Sequence, residues 1–262
     1  LKHFNAVRPK KFLGQHFLHN EEIAEAIAAS IFHNPNIEKV IEIGPGMGVL
    51  TKYLLEHFQE KLWVIELDRE SIPYLHEHFP TLTSRVIEGD FLQMDMEQLF
   101  QKPTAVIGNY PYNISTQILF KVFENHLSVP LFAGMFQKEV AVRIASMPGN
   151  KDYGILSVLL QAFYEIEYLF TVNENEFDPP PRVKSGVIKM IHKSNTSLKC
   201  DEKLFKEIVK AAFNQRRKTI RNGLKQIAVR NNKQSVLVED IFNKRAEQLS
   251  WEAFVDLTNL LA

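Results

Sequence analysis

Val40-Ile41-Glu42-Ile43-Gly44-Pro45-Gly46-Met47-Gly48 is the stretch on which the fold turns. A short β-branched run enters a glycine cluster, and Val49–Phe58 then takes up helical spacing. Strand, tight turn and helix in that order are the opening of a βαβ unit. Working outward, Lys39–Ile43, Leu62–Glu66, Arg85–Glu88, Thr104–Ile107 and Leu131–Phe136 read as buried strands. Helical patterns at Val49–Phe58, Ser71–Phe79 and Thr116–Asn125 lie between them, and Glu21–Ile31 leads in with Asn20 as its N-cap. Such alternation predicts an α/β fold, a mostly parallel sheet with helices on both faces.

After the fifth strand the reading changes. Lys138–Met147 and Tyr153–Ala162 are helical, and Ile166–Val172 and Gly186–His192 are two late strands expected to pair as a hairpin at a sheet edge. The polar stretch Lys193–Lys199 reads as a linker. Beyond it Glu202–Phe213, Lys218–Ala228, Val238–Gln248 and Trp251–Leu261 are all helical in pattern. Two domains are therefore expected, 1–196 and a small all-α domain at 197–262.

With 45% hydrophobic residues the 262-residue chain can bury a core and is not disordered. One cysteine, Cys200, excludes a disulfide framework and a cysteine-based zinc site, and the nine histidines show no metal-ligand spacing. No metal is expected. No apolar run approaches a membrane span and no secretory signal is visible, so a cytoplasmic protein is expected; Leu1 is not a natural start. Net charge is zero, yet it is unevenly spread. Residues 1–20 hold Lys2, Arg8, Lys10 and Lys11 with no acid, residues 54–100 hold ten acids against three bases, and residues 203–233 hold ten bases against Glu207 alone. Two basic ends suggest a polyanion partner.

The ends of the strands carry the chemistry. Gly44 and Gly46 let a ligand approach the backbone closely. Glu66 closes the second strand and suits the two hydroxyls of a ribose, and Asp90, after the third, can accept from an adenine amine. A nicotinamide fingerprint is spaced differently, and Pro45 removes a donor that a pyrophosphate needs. S-adenosylmethionine, which has ribose and adenine and no phosphate, fits better.

The fourth strand runs into Gly108-Asn109-Tyr110-Pro111-Tyr112-Asn113-Ile114-Ser115. An adenine amine is a poor nucleophile because its lone pair is delocalised into the ring. The Asn109 side-chain oxygen and the carbonyl before Pro111 can each accept one amine hydrogen and draw that lone pair out. Pro111 stiffens the turn, and Tyr112 offers a face on which the base stacks. Positioning and preorganisation supply the gain, with no strong base required.

At this point the sequence resembles a known family. Gly14-Gln15-His16-Phe17-Leu18, Glu42-Ile43-Gly44-Pro45-Gly46, Val64-Ile65-Glu66-Leu67-Asp68, Gly89-Asp90, Asn109-Tyr110-Pro111-Tyr112-Asn113-Ile114-Ser115 and the stretch from Phe177 to Ser185 stand in the order and spacing of the small-subunit ribosomal RNA adenine N6,N6-dimethyltransferases, the kasugamycin-resistance methyltransferases. The resemblance spans nearly the whole chain. It implies a Rossmann-like S-adenosylmethionine-dependent methyltransferase sheet, and dimethylation of two adjacent adenines in a hairpin near the 3′ end of small-subunit RNA, late in ribosome assembly. It implies cofactor contacts from His16, Leu18, Gly44, Glu66, Asp90 and Asn109, and stacking of a flipped adenine between Phe177 and Tyr112. Two positions depart from the family: His16, where Asn is frequent, and Tyr110, where Leu is usual and where a Tyr packs or alters the pocket rim. Phe12 and Phe17 pack on the core or close over the cofactor.

Arg216, Arg217, Lys218 and Arg221 concentrate charge at a helix junction and suit RNA phosphates. The expected partner is the RNA of the immature small subunit, met by a monomer. Two other readings remain beside this one: an adenine methyltransferase of large-subunit RNA conferring macrolide resistance, and a non-catalytic ribosome assembly factor.

Overall fold

The computed structural model describes residues 7–10, 13–34, 36–193 and 197–262. Lys2, Lys11, Phe12 and part of the 193–199 linker lie outside the described residues.

In chain order the elements are β1 (Phe17–Leu18), α1 (Glu21–Ala29), β2 (Lys39–Ile43), α2 (Thr51–Phe58), β3 (Leu62–Glu66), α3 (Ser71–His78), β4 (Val86–Glu88), α4 (Met96–Leu99), β5 (Thr104–Asn109), α5 (Ser115–Glu124), β6 (Leu131–Gln137), α6 (Lys138–Ala145), α7 (Ile155–Phe163), β7 (Tyr164–Val172), β8 (Phe177–Asp178), β9 (Ser185–His192), α8 (Glu202–Asn214), α9 (Ile220–Arg230) and α10 (Trp251–Leu261). Seven strands form one sheet in the order β4-β3-β2-β5-β6-β9-β7. The first five of these are parallel, and β9 runs antiparallel to β6. The chain moves outward from β2 to β4, then returns to lay β5 on the other side of β2. Strand order thus reverses between β2 and β5, which opens a crevice at their carboxyl ends. The registers Ile43↔Ile65, Glu66↔Glu88 and Glu42↔Ile107 bring the ends of β2, β3, β4 and β5 close together.

Burial explains why these runs are strands. Val40, Ile41, Val64, Ala105, Val106 and Ile107 are fully excluded from solvent, as a two-sided parallel sheet requires. In α1, Ala24, Ile27 and Ala28 turn inward at helical spacing, and Asn20 caps the helix by accepting from Ile23 N at 3.1 Å. Each buried Val or Ile side chain of this kind contributes about 1.5–3 kcal/mol. β1 was invisible as a pattern: two residues have no period, and it forms only because β8 pairs with it at Leu18↔Phe177.

Contacts divide the chain into two compact units, Leu1–Ala141 with Glu167–His192, and Val142–Ile166 with Lys193–Ala262. The second unit therefore takes in α7 with the C-terminal helices. Its core holds Phe205, Ile208, Leu224, Phe254 and Leu257, and the Tyr153 and Phe213 rings meet at 6.3 Å. One expected helix is absent. Val238–Gln248 folds as 3-10 turns at Asp240–Asn243 and Ala246–Gln248, following a turn over Gln234–Val238. Glu239 and Lys244 are extended, and the Lys244 carbonyl accepts from Ile220 N instead of closing a helical turn. Its apolar spacing mimicked a helix, but Val238 is exposed and only Phe242 and Ala246 within the span are buried.

Candidate active site

A pocket opens at the reversal of strand order, within the first unit. It is lined by residues 13–17, Ile43, Gly44, Gly46, residues 65–67, residues 89–92 and residues 109–114. These are the ends of β2, β3, β4 and β5 together with the N-terminal arm. Among the described residues, no Lys or Arg lines it.

The glycine turn is built for close approach, and most of its donors are already taken. Gly44 holds φ +68°, and open space lies where a side chain would begin. Its N–H donates to the Ile65 carbonyl (2.9 Å), the Gly46 N–H to Glu66 Oε2 (3.0 Å) and the Gly48 N–H to the Pro45 carbonyl (2.8 Å). The N–H donors of Gly44, Gly46 and Gly48 are thus consumed inside the protein, and Pro45 has none to offer a pyrophosphate. Glu66 is 4% exposed, and Oε1 also accepts from Asp68 N at 2.7 Å. Burial pushes its carboxyl upward, while those two backbone donors pull it down. A carboxylate oxygen has more than one lone pair, so each still accepts from a hydroxyl. Asp90 caps the next turn, with Oδ1 accepting from Leu92 N at 2.9 Å, and Phe91 beside it forms an apolar wall. These residues fit a ligand with ribose and a neutral aromatic base.

The N-terminal arm is fastened over this pocket. Lys10 pairs with Asp68 at 2.5 Å and with Glu70 at 3.1 Å, and Gln15 Nε2 donates to Asp68 Oδ2 at 3.0 Å. Burial raises the Asp68 carboxyl, but the hydrogen bonds from Lys10 and Gln15 outweigh it and hold it below the ordinary carboxylate value. Lys10 is therefore spent on the protein itself. Phe17 lies so close over Gly46 that a Cβ there would stand 3.0 Å from its ring.

Asn109, at the end of β5, donates through Nδ2 to the His16 carbonyl at 3.1 Å. That bond fixes the amide and leaves Oδ1 as its acceptor. In the turn that follows, the Pro111 carbonyl takes Ile114 N and the Tyr112 carbonyl takes Ser115 Oγ. The Tyr110 carbonyl meets no internal donor among the described residues. Tyr112 is half-buried, its hydroxyl 2.6 Å from Ser185 Oγ and its ring centroid 5.6 Å from that of His16. His16 in turn donates from Nδ1 to the Pro179 carbonyl at 2.7 Å. His16, Gly44, Gly46, Glu66, Asp90, Asn109, Pro111 and Tyr112 thus meet in one place.

Two expected residues do not. Leu18 is 4% exposed and Phe177 3% exposed; both sit in the core and outside the pocket wall. The cause is strand alternation: Phe17 faces the pocket, so Leu18 and its partner Phe177 face the core. An adenine clamp from Phe177 conflicts with this packing. Tyr110 reaches the pocket wall, but its ring turns into the core with 1% exposure, stacked on Phe132 at 5.2 Å, its hydroxyl donating to the Ala133 carbonyl at 2.9 Å. Room for the ring comes from paired Gly108 and Gly134, where a Cβ would stand 3.0 and 2.3 Å from it. Gln15, Phe91 and Ser185 also serve the site; Gln15 and Ser185 stand within the quoted stretches and Phe91 beside one, with no role of their own legible in the sequence.

In the second unit Arg217, Lys218 and Arg221 are exposed. Arg216 differs. It pairs with Glu247 at 3.3 Å and donates to the Lys151 carbonyl, tying two loops of its own unit together.

Comparison with known proteins agrees with this geometry. "Ribosomal RNA small subunit methyltransferase A" of Cytophaga hutchinsonii is 54% identical to the chain and covers 98% of each protein. The protein of the same name in Flavobacterium johnsoniae is 55% identical over 96% of this chain and 95% of that one. Among solved structures, a dimethyladenosine transferase from Plasmodium falciparum superposes with a TM-score of 0.78 at 25% identity, covering 92% of this chain and 96% of that chain. The 23S rRNA methyltransferase ErmE, with a TM-score of 0.66 at 21% identity over 93% of this chain and 99% of that one, shares the fold. The sequence model described as ribosomal RNA adenine dimethylase matches residues 6–262, and the chain belongs to that family.

Proposed function

We propose that this protein transfers methyl groups from S-adenosylmethionine to N6 of two adjacent adenines in a hairpin near the 3′ end of small-subunit ribosomal RNA, in late ribosome assembly. One observation carries the reading. The Asn109 amide, held by the His16 carbonyl, presents Oδ1 in a pocket whose glycine turn spends the N–H donors of Gly44, Gly46 and Gly48 inside the protein.

In this reading Gly44 and Gly46 give the donor close approach to the turn, Glu66 holds its ribose and Asp90 its purine amine, with His16 at the arm. Bound there, S-adenosylmethionine supplies an electrophilic methyl on a cationic sulfonium. Asn109 Oδ1 and the Tyr110 carbonyl accept the two hydrogens of the target amine and turn its lone pair toward the pocket. Tyr112, braced by Ser185, supports the base, and Pro111 keeps the turn from yielding. Methylation makes the nitrogen cationic, so its proton becomes acidic and leaves without a strong base. One hydrogen and the lone pair remain for the second transfer. The 197–262 segment meets RNA phosphates through Arg217, Lys218 and Arg221, recognising shape more than sequence. The protein acts as a monomer in the cytoplasm. Among the described residues no helix is long and apolar enough to cross a membrane.

The test offers unmethylated small and large subunits separately with labelled S-adenosylmethionine. Label is expected in small-subunit adenines as N6,N6-dimethyladenosine. Label confined to the large subunit refutes the substrate, and binding of small subunits without any transfer refutes the enzyme.

A further inference from the structure

Asp90 and Phe91 stand on a short turn, Phe91–Gln93, between β4 and α4. The turn begins with Asp90 Oδ1 accepting from Leu92 N and continues with Gln93 N donating to the Asp90 carbonyl at 2.9 Å. Its Phe91 carbonyl takes Met94 N at 3.3 Å, and the carbonyls of Leu92 and Met94 meet no backbone donor among the described residues. Lys121 answers them from α5, donating to the carbonyls of Phe91 (3.0 Å), Leu92 (2.5 Å) and Met94 (3.0 Å), with its ammonium also 5.7 Å from the centre of the Phe91 ring. An ammonium has three donors, and three acceptors are what it meets here. α5 is the helix that follows the Asn109–Ile114 segment directly.

We propose that Lys121 is a positioning residue for the purine end of the cofactor site. It fixes the Asp90 turn to the helix behind Asn109 and so sets the distance between what Asp90 holds and what Asn109 aims. No sequence motif includes Lys121, and it does not line the pocket. It acts through Asp90. The proposal rests on the S-adenosylmethionine reading given above.

Calorimetric titration of the whole protein separates the two. The ligands are S-adenosylhomocysteine and S-inosylhomocysteine, which carries a 6-oxo group where the first has the amine that Asp90 accepts from. Wild type is expected to bind S-adenosylhomocysteine more tightly. Lys121→Met should weaken that binding about tenfold, the scale of one charge-assisted hydrogen bond, and leave S-inosylhomocysteine binding within about twofold, the ordinary scatter of such a constant. Lys121→Arg, which keeps charge and donors, should recover most of the loss. Thermal melting reports whether each variant is folded, and Lys121→Gln replaces Lys121→Met if the latter is not. Unchanged binding of S-adenosylhomocysteine by the folded variant overturns the proposal. So does an equal loss for both ligands, because a merely structural role predicts it. If wild type binds neither ligand, the cofactor reading itself fails, which is a different result.

Discussion

At the strand ends the polar groups are paired within the protein. Glu66 meets Gly46 and Asp68 backbone donors, Asn109 meets His16, Tyr112 meets Ser185 and Lys10 is taken by Asp68. Along Arg217, Lys218 and Arg221 charges stand in solvent, and their neighbour Arg216 alone of the four is tied down by Glu247. Both regions were read from the sequence as functional, and both N-terminal and C-terminal stretches were basic. The difference teaches that charge in a sequence does not say whether its partner is inside or outside. A paired, buried site gives position, which salt barely touches; an exposed row of cations gives affinity that salt removes.

The comparison breaks first at Asn109. Asn109→Ala should lower the single-turnover methyl transfer rate by about 10²–10³, the cost of removing one preorganised group, while filter binding of RNA stays near wild type. Loss of RNA binding instead would move Asn109 out of the chemistry. Glu66→Gln comes next. Replacing a buried carboxylate by an amide that must also place a donor should weaken S-adenosylhomocysteine binding about tenfold or more by calorimetry, with RNA affinity unchanged. The third variant, Arg217→Glu with Lys218→Glu, should weaken RNA binding and lower the slope of log affinity against log salt by about 0.7–0.9 per lost phosphate contact. Arg216→Met sharpens the contrast: it should lower the melting temperature and leave the slope nearly intact. An equal fall in slope would mean that its pairing with Glu247 does not hold it back from RNA.

The last effect is on stability and concerns Glu42, buried near the end of β2 with Thr51 Oγ1 donating to Oε2 at 2.6 Å. Burial pushes its carboxyl from 4.5 up to about 8. The folded protein therefore keeps a proton that the unfolded chain releases above about 4.5. Stability contributed by this group is present below that value and falls as pH rises toward about 8. Glu42→Gln, an isostere of the neutral acid, should flatten this slope. Melting temperatures at both ends of the window should differ less in the variant than in wild type, and an unchanged difference would show that Glu42 is ionised in the fold.

How legible the molecule was in its sequence depended on period. Val40–Ile43, Leu62–Glu66 and Thr104–Ile107 are mostly apolar, β-branched runs, and their ends placed Gly44, Glu66 and Asn109 where the pocket is. What a long element does not carry was hidden. Leu18 and Phe177 were read as site residues from resemblance, and only the two-residue pairing of β1 with β8 shows that both face inward. Val238–Gln248 has helical spacing without helical backbone, because the burial of Phe242 and Ala246 is served equally by consecutive 3-10 turns. Tyr110 could not be placed until Gly108 and Gly134, which make room for its ring, were seen on adjacent strands. Lys121 shows the same limit: three carbonyl contacts leave no mark in one sequence.

The most direct measurement is mass spectrometry of small-subunit ribosomal RNA from a strain lacking this protein, carrying either the wild-type chain or Asn109→Ala. Two adjacent N6,N6-dimethyladenosines near the 3′ end are predicted with wild type, and unmodified adenines with the variant and with neither. Dimethyladenosines that persist without the protein, or that return fully with Asn109→Ala, would contradict the account.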